Sequence, residues 1–261
     1  MKLKKSPKPF QIKLESIADD FLTDHIPTFF WQVGRSLLEH PCEGIFRMTG
    51  DVAQICDMKK KINKKIDITK DMTYPDQMYC LAGVLSGFLR EMPKPILNYS
   101  DKAILATVFS RFRKVTDLPQ TVIAVNLALR RVEPLRRRYL FFLLNLYYSI
   151  SKKSDVNKMT FSKIGICVAP SFFSRELTYI TTTTESIDSQ IDIVTMLITL
   201  YPLISPEFEE SKNVIKPCYN LTEEETRTIL KNPANYNLGD IHLCQKPLIA
   251  TPHKKAFAAS N

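Results

Sequence analysis

Glycine is scarce in this chain, with seven residues against sixteen prolines over 261 positions. Sheet-rich folds use glycine at turns, and phosphate-cradling loops use it for close backbone approach. Neither Gly-x-x-x-x-Gly-Lys nor Gly-x-Gly-x-x-Gly occurs, which excludes the two standard nucleotide-binding loops. The six cysteines (Cys42, Cys56, Cys80, Cys167, Cys218, Cys244) show neither metal-ligand spacing nor the density of a disulfide scaffold. Cys56, Cys80 and Cys167 fall in apolar helical patterns, where reduced cysteine acts as a small core residue. The four histidines (His25, His40, His242, His253) are isolated, so no metal site is expected. His40 and Cys42, two residues apart, are a weak basis for a thiol nucleophile. The start of the chain is basic and proline-bearing, and no apolar run is long enough to span a bilayer. The expectation is a reduced, cytoplasmic protein.

Helical periodicity dominates what is present. Ile26, Phe30, Val33 and Leu37 form one apolar stripe, with Pro27 suited to a first helical turn. Asp51 can cap a helix carrying Val52, Ile55, Met58 and Ile62 inward. Asp76 can cap the next, with Leu81, Val84, Leu85 and Phe88 apolar and Pro93 and Pro95 as the stop. Further helices are expected at about 101–112, 120–132, 160–168 and 186–203. The run from Leu135 to Ile150 is apolar nearly all round, the mark of a helix at the centre of a bundle. No strand-like alternation persists, so the fold class is all-α. After Pro206 the composition turns polar, with capping-box spacing at Thr222 and Glu225. The expected organisation is a basic segment 1–8, a helical domain 9–206 and an extension 207–261 that is partly helical and then mobile.

The net charge of +9 is clustered. Lysines gather at the start (Lys2, Lys4, Lys5, Lys8) and at Lys59-Lys60-Lys61, and arginines at Arg130-Arg131 and Arg136-Arg137-Arg138. Such groups attract an acidic protein, anionic lipid or nucleic acid, and they are equally the composition of solvated helix faces. Aromatic residues are not interleaved with the basic ones as in single-strand binders, so no nucleic-acid partner is expected.

Three blocks carry the functional reading. The first, Glu43-Gly44-Ile45-Phe46-Arg47-Met48-Thr49-Gly50, sets one arginine in a short turn with glycine on either side, braced by Ile45 and Phe46 as buried side chains. The second is Phe88-Leu89-Arg90-Glu91-Met92-Pro93-Lys94-Pro95-Ile96-Leu97. The third is Asn157-Lys158-Met159-Thr160 followed by the run from Ile164 to Pro170. In content, order and spacing they resemble the motifs of the RhoGAP family, helical domains that accelerate GTP hydrolysis by Rho-, Rac- and Cdc42-type GTPases. The resemblance covers roughly residues 9 to 206.

That resemblance implies a RhoGAP-like multi-helix bundle whose catalytic residue is Arg47, inserted into the partner's active site. It implies that Arg90 braces the finger loop and the GTPase contact surface. Gly44, Ser86, Lys94, Pro170 and Ser171 fall at supporting or GTPase-contacting positions, while Asn157 holds a turn between helices. GTP and Mg²⁺ would belong to the GTP-bound partner, leaving this chain without cofactor or complete active site of its own. Two positions depart from the family pattern: Ser86 stands where a lysine is usual, and Ser171 where asparagine follows the proline. The first loses a charge and the second an amide's paired donor and acceptor, so lower affinity or altered GTPase choice is expected. Two alternatives remain at this level. One is a catalytically weak binding module on the same fold; the other is a basic helical protein binding nucleic acid or membrane. The basic start also offers a contact to an anionic membrane surface, and a monomer is the expected state.

Overall fold

The computed structural model describes residues 9–204, apart from residues 71, 73–74, 113–117 and 174–183. The expected boundary at 206, the extension 207–261 with its Thr222–Glu225 helix, and the basic segment 1–8 lie outside the described residues.

The helices follow the apolar periodicity closely. They are α1 (Thr28–Glu39), α2 (Val52–Ile62), α3 (Asp76–Glu91), α4 (Tyr99–Phe112), α5 (Leu118–Arg130) and α6 (Pro134–Ser151). Then come α7 (Ser154–Asn157), α8 (Phe161–Val168), a 3-10 turn at Ala169–Ser171 and α9 (Thr184–Leu200). The all-α expectation is met. The one sheet among the described residues is a two-residue hairpin, β1 (Leu22–Thr23) antiparallel to β2 (Ile26–Pro27).

That hairpin corrects the expected helix start. Asp24 and His25 both take positive φ, at 51° and 60°, as a tight two-residue hairpin turn requires. Ile26 and Pro27 therefore pair with β1, and α1 begins at Thr28 with Pro27 preceding it. Asp76 is likewise the first residue of α3 rather than its cap; Pro75 occupies the capping position. Asp51 does cap α2, accepting a hydrogen bond from the Gln54 amide at 2.8 Å.

α6 is the axis of the core, as its all-round apolarity predicts. Tyr139, Leu140, Leu143, Leu144, Leu146, Tyr147 and Tyr148 are all fully buried. Phe30 of α1 packs edge-on against Tyr139, and Trp31 packs against Phe142. α2 differs from expectation: Met58 and Ile62 are buried, Ile55 is half-buried, and Val52 is 73% exposed. The C-terminal half of α2 thus does the packing. Cys56 is also exposed, not a core residue as its pattern implied, whereas Cys80 is buried. No helix among the described residues is long and apolar enough to cross a membrane.

Candidate functional site

The loop from Pro41 to Asp51 leaves α1 and enters α2, and Arg47 sits exposed at its middle. Gly44 begins a tight turn: its carbonyl accepts the amides of Arg47 at 2.9 Å and Met48 at 2.8 Å. Gly44 has φ +71°, and a Cβ there would meet Met48 Cγ at 3.1 Å. Both facts select glycine. Phe46 also has positive φ, at 66°, a conformation costly for a residue with a side chain. Its half-buried ring meets the fully buried Tyr147 of α6 edge-on, with centroids 5.2 Å apart. Ile45 is buried at 3% exposure. The expected burial therefore holds for Ile45 and only in part for Phe46. Together these two side chains turn the backbone so that Arg47 points away from the core.

Three further contacts pin the loop from outside. The Gly44 amide donates to the Asn157 carbonyl at 2.9 Å. The Tyr79 hydroxyl of α3 donates to the Glu43 carbonyl at 2.9 Å. At the far end, Gly50 lies directly on the α3 backbone, where an added Cβ would stand 2.5 Å from the Cys80 nitrogen. Neither Tyr79 nor Tyr147 was legible as a loop support in the sequence, because no local pattern signals a contact made across such sequence distances. The glycine at position 50 is a weak signal of close backbone approach.

Asn157 is 1% exposed and holds the third block in place. Its carboxamide donates to the Ile150 carbonyl at 2.7 Å and accepts from the Met159 amide at 2.8 Å. Lys158 follows with φ 59°, closing α7 in the left-handed conformation. The structural role expected of Asn157 is thus visible, and it reaches the arginine loop through the bond to Gly44. Asn157→Ala would orphan the buried Met159 amide and remove one of two bonds to the Ile150 carbonyl, which also accepts the Lys153 amide at 3.0 Å. It is expected to destabilise the fold by about 2–4 kcal/mol, read from the urea midpoint at unchanged slope.

The second block also meets the chain just past the third: the Leu97 amide donates to the Phe172 carbonyl at 2.9 Å. Arg47 lies close enough to Cys167 of α8 for its charge to lower that thiol's pKa, partly offsetting the larger upward push of burial. Pro170, in the 3-10 turn after α8, is exposed, while Ser171 after it is only 4% exposed. The hydroxyl of Ser171 therefore offers little surface to a partner. Ser86 is half-buried, and it shares a face of α3 with Tyr79 and Arg90 by helical spacing. Arg90 is exposed in the last turn of α3, eleven residues past Tyr79, or about 16 Å along the axis. Among the described residues it makes no ion pair; Glu91 pairs with Lys59 instead. The contacts to the arginine loop described above come from Tyr79, Tyr147 and Asn157. Lys94 is exposed beyond the end of α3, beside Leu14, Glu15 and Arg136 and apart from the arginine loop.

The nearby thiol is not poised for chemistry. Burial pushes Cys42 up to about 11, so it is protonated at neutral pH and a poor nucleophile.

What this geometry can do is present one guanidinium on a pinned loop. The RhoGAP domain profile matches residues 27–176, more than half of the chain. Rho GTPase-activating protein gacA of Dictyostelium discoideum is 29% identical over 163 residues, covering 61% of this chain and 43% of that protein. Rho GTPase-activating protein 20 of Mus musculus is 26% identical over 176 residues, covering 64% of this chain and 14% of that protein. The chain thus spans less than half the length of these curated relatives. Among solved structures, human Rho GTPase activating protein 15 superposes with a TM-score of 0.64 at 20% identity, over 78% of this chain and 94% of that one. The BH domain of GRAF, the GTPase regulator associated with focal adhesion kinase, gives 0.53 at 15% identity, over 66% and 90%. These two likenesses show the fold: a helical bundle shared across low sequence identity. By the extent of the profile match, the chain belongs to the RhoGAP domain family.

Proposed function

We propose that this chain stimulates GTP hydrolysis by Rho-family small GTPases by inserting Arg47 in trans, and so switches off Rho- or Rac-type signalling. The observation that carries this is the exposed Arg47 on a loop pinned by Asn157, Tyr79 and the Gly50 contact. During hydrolysis, charge builds on the transferred phosphoryl group and the leaving oxygen. A planar guanidinium can bridge both positions with its fork of donors. The partner holds GTP, Mg²⁺ and the attacking water; this chain supplies the missing positive charge. Arg90, exposed on the face of α3 that carries Tyr79, adds charge to the docking surface, with Pro170 as a further contact. The usual interface lysine is replaced by the neutral Ser86, which favours slower association. The protein acts as a monomer in the cytoplasm, and its basic residues 1–8 favour contact with anionic membrane.

The test is phosphate release from a panel of GTP-loaded Rho-, Rac- and Cdc42-type GTPases. A strong rise with the wild-type chain is expected for at least one member. No rise for any member leaves the alternative of a GTPase-binding module without activation.

A further inference from the structure

Two groups of basic side chains lie outside the arginine loop, and they differ in how they are neutralised. On α2 and in the turn after it, Lys59 pairs with Glu91, Lys61 with Asp57 at 3.1 Å, and Lys65 with Asp20. At the elbow between α5 and α6 no such neutralisation occurs. Arg130 ends α5, Arg131 follows in the turn, and Arg137 lies in the first turn of α6. Arg137 Nη1 donates to the Arg130 carbonyl at 3.3 Å, which holds the two helix ends together and sets a cation at the negative end of the α5 dipole. Among the described residues, none of these three arginines belongs to an ion pair.

The acid nearest in sequence is engaged elsewhere. Glu133 caps α6 by accepting the Leu135 and Arg136 amides at 3.0 and 3.1 Å, and it faces the Arg136 guanidinium at 4.0 Å. Arg136 itself turns inward to Asp101 and the Ile96 carbonyl. Arg138 leaves the patch on the other side, donating to the Asp24 carbonyl beside Asp19. The elbow thus presents Arg130 and Arg131 exposed, with Arg137 half-buried beside them. It also stands apart from the arginine loop: Phe46 rests on Tyr147, ten residues beyond Arg137 and about 15 Å further along α6. A surface gripping the elbow would leave Arg47 uncovered.

We infer that this elbow is a docking surface for the anionic headgroups of a phospholipid membrane. Guanidinium forks match phosphate and carboxylate oxygens. A protein partner would need a desolvated apolar centre within the polar rim. None of the exposed large apolar side chains of the described residues lies in α5 or α6. A headgroup layer requires only charge. One exposed ring, Tyr99 at the start of α4, stands near the elbow, and a single ring is not a platform on which successive bases stack.

The test is co-sedimentation of the full chain with vesicles of phosphatidylcholine, with and without phosphatidylserine. Binding should require the serine lipid. The triple change Arg130→Gln, Arg131→Gln, Arg137→Gln should weaken it on the order of a hundredfold, with circular dichroism unchanged. Lysine at the same three positions should restore most of the binding. Should the triple variant fail to fold, Arg131→Glu alone must still weaken binding, on the order of tenfold. Equal binding by wild type and these variants overturns the inference, as does binding lost only when residues 1–8 are removed. Tighter binding to a nucleic-acid duplex than to the vesicles at the same salt also overturns it.

Discussion

Arg47→Ala should lower the stimulated rate of GTP hydrolysis by about 10³–10⁵-fold, equivalent to roughly 4–7 kcal/mol of barrier. Affinity for the GTP-bound partner should change little. The asymmetry follows from where the charge acts. A guanidinium aimed at developing phosphoryl charge stabilises the transition state more than the ground state, so its loss appears in rate rather than in binding. Arg47 is exposed and takes part in none of the ion pairs or side-chain hydrogen bonds described for the fold. Its removal should therefore leave the thermal midpoint in place. Arg47→Lys should recover only part of the rate, because an ammonium is a point charge without the planar fork. Single-turnover phosphate release with saturating activator separates these effects. A variant as active as wild type would remove Arg47 from the chemistry.

Gly50→Ala should come next in size. The added Cβ would stand 2.5 Å from the Cys80 nitrogen and 2.6 Å from its Cα. Backbone atoms inside a helix cannot rotate away as a flexible side chain can, so the loop must move off α3. Overpacking of this kind costs about 1–3 kcal/mol of stability. A functional cost of similar size comes on top, because a displacement of about 1 Å at a catalytic group can cost 10²-fold. The expected result is a stimulated rate reduced about 10²-fold by a change that removes no charge. Thr49→Ala is the control: that side chain is exposed in the same loop and is expected to have little effect. If Gly50→Ala retained full activity, the contact with α3 would not be what positions Arg47.

The parts of this architecture that were legible in the sequence are those set by local physics. The stripe Phe30, Val33, Leu37 marks α1, and the run from Leu135 to Ile150 marks the buried axis. Asp51 reads as a cap and is one, because an N-cap bond spans only three residues. The exceptions have tertiary causes. Ile26 and Pro27 continue an apolar stripe but are taken into a hairpin by the turn at Asp24 and His25. Val52 fits the inward pattern of α2, yet the helix packs by its other half and leaves Val52 in solvent. At the site, the position of Arg47 between two glycines was readable, and so was a structural role for Asn157. That Asn157, Tyr79 and Tyr147 converge on the same loop was not, because those contacts join residues far apart in the chain. Arg90 illustrates the converse: its motif is plain in the sequence, but the structure leaves the side chain in solvent at the end of α3.

The most direct measurement is binding to a partner GTPase loaded with GDP, with and without aluminium fluoride, which mimics the transferring phosphoryl group. If Arg47 completes the active site, affinity for the fluoride complex should exceed that for GDP alone by at least about 10²-fold. Arg47→Ala should erase that difference. Equal affinity of the wild-type chain for the two forms, or an increase that survives in Arg47→Ala, would contradict the account.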